Sequence, residues 1–332
     1  MLTLDIDALG RLVARATGAQ PDAITPMAGG ASTRRYLRVR AGAASLVAMF
    51  VPDADPSTRW PFLEVHELLH GSGVRVPALV AASLDEGLLL LEDLGDETLD
   101  AYIARAPERR AEVYREAVRD LARAQRALRE LPEGSVVTTR AFDEALLGRE
   151  LDHFREWGLE ARGRVLAPED RALWDGIAER LARRIAALPR GFVHRDYQSR
   201  NLMVREADDA CSLVWLDFQD ALLGPRAYDL VALLYDSYQS LGRAFIEARL
   251  DDFAEARGLD AAERKALGRE FDLIAVQRKL KDAGRFVFIE RVRNNPAFLP
   301  YVEPTLSMVR EALGNLNDEA DMRDLARLVQ KA

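Results

Sequence analysis

Lysine is almost missing from this chain. Of its 332 residues 46 are Lys or Arg, and only Lys265, Lys279, Lys281 and Lys331 are lysines. A Walker A loop is therefore excluded, because its Gly-Lys-Ser/Thr step occurs nowhere. Positive charge needed before residue 265 must come from arginine. Cysteine is rarer still. Cys211 stands alone inside "ACSLVWLD", which rules out an internal disulfide, argues against a thiolate zinc site and reads as a small buried residue on a strand. No apolar run approaches the about 20 residues that span a bilayer. The start, "MLTLDIDALGRL", lacks the basic-then-apolar order of a signal peptide. The net charge is −8, with arginines spread along helix faces, so no basic patch of nucleic-acid type forms. The expectation is a cytoplasmic protein with neither nucleic acid nor membrane as a partner. Oligomeric state is not legible.

Hydrophobic residues make up 48% and charged residues 30%, an ordinary globular balance, and the length suffices for two lobes, each with its own core. The apolar spacing predicts a helix over 5–17, then strands over 23–28, 34–39 and 45–51, separated by Gly-containing turns. Phe62, Val65, Leu68 and Leu69 recur at helical spacing up to Gly71. Strands over 76–83 and 87–94 follow. From about residue 97 the helical period dominates, with Val113, Ala117, Leu121, Ala124, Leu128 and Leu131 forming one core stripe. Further helices are predicted over 142–157, 168–188, 227–239, 242–256, 261–292 (with room for a break) and 303–314. Strand character interrupts them only at "GFVH", "NLMV" and "SLVWLD".

The stretch "HRDYQSRN", 194–201, packs polar residues between two apolar runs. Asp196 and Asn201 fit H-R-D-x-x-x-x-N, the spacing of a kinase catalytic loop. Asp217 closes "SLVWLD" sixteen residues after Asn201, and a strand–loop–strand hairpin of that length would return it beside the loop. Phosphoryl transfer asks for this set. A carboxylate takes the acceptor proton, and hard oxygen ligands hold Mg²⁺ on the phosphates. Each residue also has a plain alternative: Asp196 as a surface-turn Asp, Asn201 as a turn filler, Asp217 as a cap. His194 and Arg195 read as structural supports of the loop. "HELLH", 66–70, matches the zinc-protease pattern H-E-x-x-H, but Gly71 ends its helix at once and no third ligand is in view.

"FVHRDYQSRNLMV" and "VWLDFQDALLGPRAYDLVALL" resemble the aminoglycoside phosphotransferase and choline kinase-like superfamily. "GGASTRRYLRV", "PFLEVHELLHGSGVRVP", "LLLLEDLG" and "QRKLKDAGRF" are similar to the bacterial anomeric kinases of N-acetylmuramate and N-acetylglucosamine. The likeness runs from about 24 to 310. It implies an α+β, bilobal protein-kinase-like fold. A small antiparallel-sheet N-lobe with one helix, 1–93, would bind nucleotide, and a larger, mainly helical C-lobe, 94–332, would carry catalysis and the substrate. It further implies an ATP- and Mg²⁺-dependent kinase of a small-molecule sugar, phosphorylating the anomeric hydroxyl in cell-wall sugar recycling. An aminoglycoside or choline-like alcohol as acceptor, or an inactive kinase-like binding module, stay open. By the same resemblance Asp196 is the base, and Asn201 and Asp217 hold Mg²⁺. Backbone groups near Glu92 and Leu94 meet adenine, Asp229 braces the catalytic loop, and Glu64 faces the phosphate site or is a plain surface carboxylate.

Three departures follow. Gln219 stands where protein kinases have the Gly of D-F-G, and Met49 or a neighbour occupies the strand position of the phosphate-binding lysine. The phosphate turn lacks G-x-G-x-x-G. The dense positive charge beside it is Arg34–Arg35, after Gly29, Gly30, Ser32 and Thr33. An arginine there, helped by Ser32 and Thr33, would grip the phosphates. Arg34 shares its parity with Tyr36 and Arg38, and Arg35 with Leu37 and Val39, so one of the two faces the nucleotide.

Overall fold

In a computed structural model, residues 2–27, 33–207 and 210–330 are described. The chain opens with α1 (Ile6–Thr17), β1 (Ala23–Pro26), β2 (Arg35–Ala41), β3 (Ala44–Phe50), α2 (Pro61–Gly71), β4 (Leu79–Ser83) and β5 (Leu88–Glu92). Helices α3 (Leu99–Arg105), α4 (Arg110–Ala127), α5 (Glu144–His153) and α6 (Pro168–Ala186) follow. Then come β6 (Arg190–Val193), β7 (Leu202–Ala207), β8 (Ala210–Trp215) and β9 (Leu222–Pro225). The chain finishes with α7 (Tyr228–Leu234), α8 (Arg243–Arg257), α9 (Ala261–Arg293), α10 (Val302–Asn315) and α11 (Ala320–Val329). It divides into two compact units: Met1–Thr98 with Leu202–Gln219, and Leu99–Asn201 with Asp220–Ala332.

The first unit is built on an antiparallel sheet in the order β1-β2-β3-β5-β4. Asp5 starts α1 by accepting from the backbone N–H groups of Asp7 and Ala8, and Gly18, at φ 78°, ends it in the left-handed region. Leu9, Leu12 and Val13 then face one side of the sheet, against Leu37, Val39, Leu46, Ala48, Phe50, Leu88 and Leu90. Full burial of each such side chain contributes about 1.5–3 kcal/mol, so packing, more than helix propensity, holds α1 in place. Strand alternation turns Tyr36, Val47, Met49 and Leu89 to the opposite side. The β7–β8 hairpin joins this unit through bonds from Val204 N–H to the Glu97 carbonyl and from Trp215 N–H to the Arg75 carbonyl. Met203 and Val214 pack on Leu94.

The second unit is mainly helical. Val113, Ala117, Leu121 and Ala124 of α4 are buried, as is Leu128 just past its end. Helix α9 is one unbroken run of 33 residues, started by a reciprocal capping box between Asp260 and Glu263. After α5 the chain continues as a π-helix, Phe154–Leu159, where one ordinary helix over 142–157 was expected. A strand absent from the sequence expectation, β9, pairs antiparallel with β6. Its "LLGP" reads as a turn, but Gly224 is there for space: a Cβ would lie 2.8 Å from the Phe142 ring. Among the described residues no helix is long and apolar enough to cross a membrane. Cys211 lies on β8, half-buried.

Candidate active site

The 194–201 segment belongs to the second unit and is held from several sides. The backbone N–H groups of His194 and Arg195 donate to the two carboxylate oxygens of Asp229, at 2.7 and 2.9 Å. This clamp keeps Arg195 at φ 80°, a conformation costly for a residue with a Cβ and sustained only where the surroundings impose it. Asp229 is fully buried, and burial pushes its carboxyl up to about 7 against the pull of those two donors. The Tyr197 hydroxyl donates to the Ala117 carbonyl on α4 at 2.9 Å, and Asp236 accepts from the Ser199 backbone at 3.0 Å and its hydroxyl at 2.5 Å.

Asp196 sits at the turn so formed, its side chain 34% exposed. From α9, Arg278, 1% exposed, donates to the Arg195 carbonyl at 2.8 Å and approaches Asp196 Oδ1 at 3.5 Å. Burial would raise the Asp196 carboxyl. Arg278, then Lys281 and Arg195, outweigh it and hold the carboxyl below its ordinary range, so Asp196 is a carboxylate at neutral pH and can take a proton. Behind Arg278 the helix carries Lys279, Lys281 and Asp282. The Lys279 ammonium lies 2.6 Å from Asp282 and donates to the Tyr235 carbonyl at 2.8 Å. Burial would raise the Asp282 carboxyl, but Lys279, Lys281 and Arg278 together hold it far below its usual value.

The Asn201 amide donates to the Asp196 carbonyl at 2.9 Å. A carbonyl oxygen only accepts, so the NH₂ faces Asp196 and Asn201 Oδ1 is left as an acceptor. Asp217 stands in the first unit, at φ 59°, its Oδ1 accepting from Gln219 at 2.8 Å. Phe218 beside it packs against Phe62 of α2 at 4.9 Å between ring centroids and against His66 at 6.1 Å. Asn201 Oδ1 and the Asp217 carboxylate are each hard oxygen donors, the ligand type that Mg²⁺ takes.

Of the other expected residues, Ser32, Gly29 and Gly30 lie outside the described residues. Thr33 is exposed, its hydroxyl 3.5 Å from Asp53. The β2–β3 register separates the two arginines by face. Arg35 is opposite Phe50, on the α1 side, and Tyr36 is opposite the buried Met49. Arg34, sharing parity with Tyr36, falls on the Met49 side. There the Tyr36 hydroxyl is raised by burial, lowered by the Arg34 guanidinium it meets and raised by the Asp217 carboxylate, so Arg34 and Asp217 share one neighbourhood. The Glu92 N–H is taken by the Ala78 carbonyl at 2.9 Å. Leu94 buries its side chain on Met203 and Val214, and its N–H has no partner among the described residues. Glu64 is half-buried on α2.

The H-E-x-x-H match fails on geometry. His66 is buried and its Nε2 lies 2.8 Å from the Pro77 carbonyl, which can only accept, so that nitrogen carries a proton and cannot bind a metal. Sequence reasoning missed Arg278, Asp236 and Asp282. For Arg278 and Asp282 the signal was a run of charges, "RKLKD", in the middle of a long helix.

The model of the phosphotransferase enzyme family matches residues 23–267, and the chain belongs to that family. It transfers a phosphoryl group to a hydroxyl. Two curated relatives are named N-acetylmuramate/N-acetylglucosamine kinase. The one from Pseudomonas aeruginosa is 36% identical over 320 residues, 94% of this chain and 90% of its own. The one from Pseudomonas putida is 34% identical over 314, 92% and 88%. Among solved structures, aminoglycoside phosphotransferase APH(2'')-Ib with ADP bound is similar at a TM-score of 0.60 and 14% identity, over 93% of this chain and 99% of that one. A choline kinase from Streptococcus pneumoniae reaches 0.61 at 10% identity, over 92% and 99%. The fold is thus kinase-like, with the small antiparallel sheet and the helical part that the motifs implied.

Proposed function

We propose that this protein is an ATP-dependent kinase of an amino sugar, N-acetylmuramate or N-acetylglucosamine, acting on the anomeric hydroxyl in the recycling of cell-wall sugars in the cytoplasm. The likeness to the two Pseudomonas kinases over some nine-tenths of the chain carries this reading. Residues 1–93 take the nucleotide and 94–332 carry catalysis and the acceptor. The Leu94 N–H and the neighbouring Glu92 backbone meet adenine. Arg34, on the Met49 side of the sheet, supplies the phosphate charge that a lysine supplies elsewhere, with Ser32 and Thr33 beside it. Asn201 and Asp217 hold Mg²⁺, which when bound offsets charge on the phosphates.

Asp196 accepts the proton of the acceptor hydroxyl as that oxygen bonds to the γ-phosphorus. The bond from that phosphorus to the β–γ bridging oxygen breaks, and ADP leaves. An anomeric hydroxyl is more acidic than an ordinary alcohol, so a carboxylate held ionised is a sufficient base. A phosphoryl-transfer screen over amino sugars, aminoglycosides and simple alcohols tests the class, and phosphorus–proton NMR of the product tests the position. Coupling to a C6 methylene in place of the anomeric proton refutes the anomeric assignment.

A further inference from the structure

Helix α9 does more than hold Arg278 under the catalytic loop. From Arg278, which touches Asp196, the same helix face continues through Lys281 and Arg285 to Phe288, at spacings of three and four residues. At 1.5 Å per residue, Lys281 lies about 4.5 Å and Arg285 about 10 Å along the axis from Arg278. All three beyond Arg278 are partly exposed. Lys281 has Asp282 at 3.0 Å. Arg285 has no carboxylate partner among the described residues, and burial together with the Arg293 charge pulls its pKa down. Its guanidinium lies over the Phe288 ring, 4.9 Å from the centroid.

An aromatic wall stands against this face. His153, the last residue of α5, and Trp157, in the π-helix, surround Phe288, with centroids 5.4 Å from His153 to Phe288 and 5.0 Å from Trp157 to Phe288. The approach is set by backbone contact. A Cβ at Gly284 would lie 2.8 Å from Phe154 Cα and 3.0 Å from the His153 carbonyl. The imidazole stays neutral, since burial and the Arg285 and Lys281 charges lower its pKa, and its Nε2 has no hydrogen-bond partner among the described residues. π-Helical turns recur at functional sites. Here the turn brings Trp157 to the ring that Arg285 covers.

We propose that this face of α9 is the acceptor subsite, in which Arg285, assisted by Lys281, binds a carboxylate on the sugar while Trp157, Phe288 and His153 form its apolar wall. A partly desolvated guanidinium without an anion calls for one, and a planar fork suits a carboxylate. The same charge repels polycationic acceptors, so the subsite selects against aminoglycosides. The inference rests on the amino-sugar reading and refines it. N-acetylmuramate carries a lactyl carboxylate that N-acetylglucosamine lacks, and Arg285 tells the two apart.

The test is the ratio of kcat/KM for N-acetylmuramate to that for N-acetylglucosamine. Arg285→Gln should lower the ratio about tenfold or more, chiefly through KM, and Arg285→Lys should restore much of it. Thermal melting of each variant separates misfolding from lost recognition. If the wild type turns over both sugars and the ratio in Arg285→Gln stays within twofold, or both sugars lose equally, the carboxylate anchor is wrong and the amino-sugar reading stands. Should the wild type turn over neither sugar, that reading fails and this inference falls with it.

Discussion

Replacing Arg278 by Met isolates the part of α9 that supports the catalytic loop. Methionine keeps much of the length and the apolar stem but removes the charge and every donor. The donor to the Arg195 carbonyl at 2.8 Å is lost, as are the approach to Asp196 at 3.5 Å and the stacking over the Tyr228 ring at 4.7 Å. A hydrogen bond from a charged donor contributes about 1.5–3 kcal/mol. Removing one partner of a fully buried ion pair costs about 3–5 kcal/mol, but the Asp196 side chain is 34% exposed and water recovers part of that. The expected loss in unfolding free energy is therefore about 2–4 kcal/mol at pH 7. The sign of its pH dependence follows from Asp196. A carboxyl held below its unfolded value contributes stability above the unfolded pKa and loses it as pH falls through the folded one. The wild-type advantage should be full at neutral pH and shrink below about pH 4, where the unfolded carboxyl protonates. Urea titrations of both proteins between pH 7 and pH 3.5 measure it. The acid limb of kcat/KM should also move upward in the variant, since Lys281 and Arg195 alone hold the carboxylate less firmly. Equal stability at pH 7, or a difference that ignores pH, refutes the coupling of Arg278 to Asp196.

Asp196→Asn should lower kcat on the order of 10²–10⁴-fold with nucleotide binding kept; turnover within a few-fold of wild type removes Asp196 from the mechanism. Arg34→Ala should cost about 1.5–3 kcal/mol in kcat/KM for ATP and Arg35→Ala much less, because Arg35 sits opposite Phe50 on the α1 side of the sheet and neighbouring residues point to opposite faces. Wild-type ATP kinetics in both would place the phosphate charge elsewhere. Asp229→Asn sets an NH₂ against one of two N–H donors, so the thermal midpoint should fall and kcat with it, by about 1–3 kcal/mol of stability; an unchanged midpoint contradicts the clamp. Gly284→Ala should destabilise by about 1–3 kcal/mol through overpacking on the Phe154 backbone, and a neutral result in calorimetry means α9 and the π-helix are less tightly apposed than 2.8 Å implies.

What was legible in the sequence is what local physics dictates. Helix α1 announces itself through an Asp cap, an apolar triad and a terminal Gly. The sheet strands alternate, and the Asp196–Asn201 spacing is a matter of one short loop. What was not legible depends on partners far along the chain. Strand β9 exists because β6 pairs with it, and no propensity in "LLGP" asks for a strand. The faces of Arg34 and Arg35 needed the β2–β3 register, since parity near a turn does not say which side of a sheet a residue takes. Arg278 looked like one more arginine on a helix. Its role comes from the 83 residues that separate it from the Arg195 carbonyl it binds. The same reasoning explains why "RKLKD", quoted only for its family likeness, held more than the sequence showed. Charges on a solvated helix face are cheap, whereas Arg278 and Lys279 are buried, and buried charges persist only when paired and hydrogen-bonded. Their partners are the loop carbonyl, Asp196, Asp282 and the Tyr235 carbonyl. Lys279, one of only four lysines, is buried on the helix whose Arg278 meets the loop, and Asp282 and the Tyr235 carbonyl hold its charge.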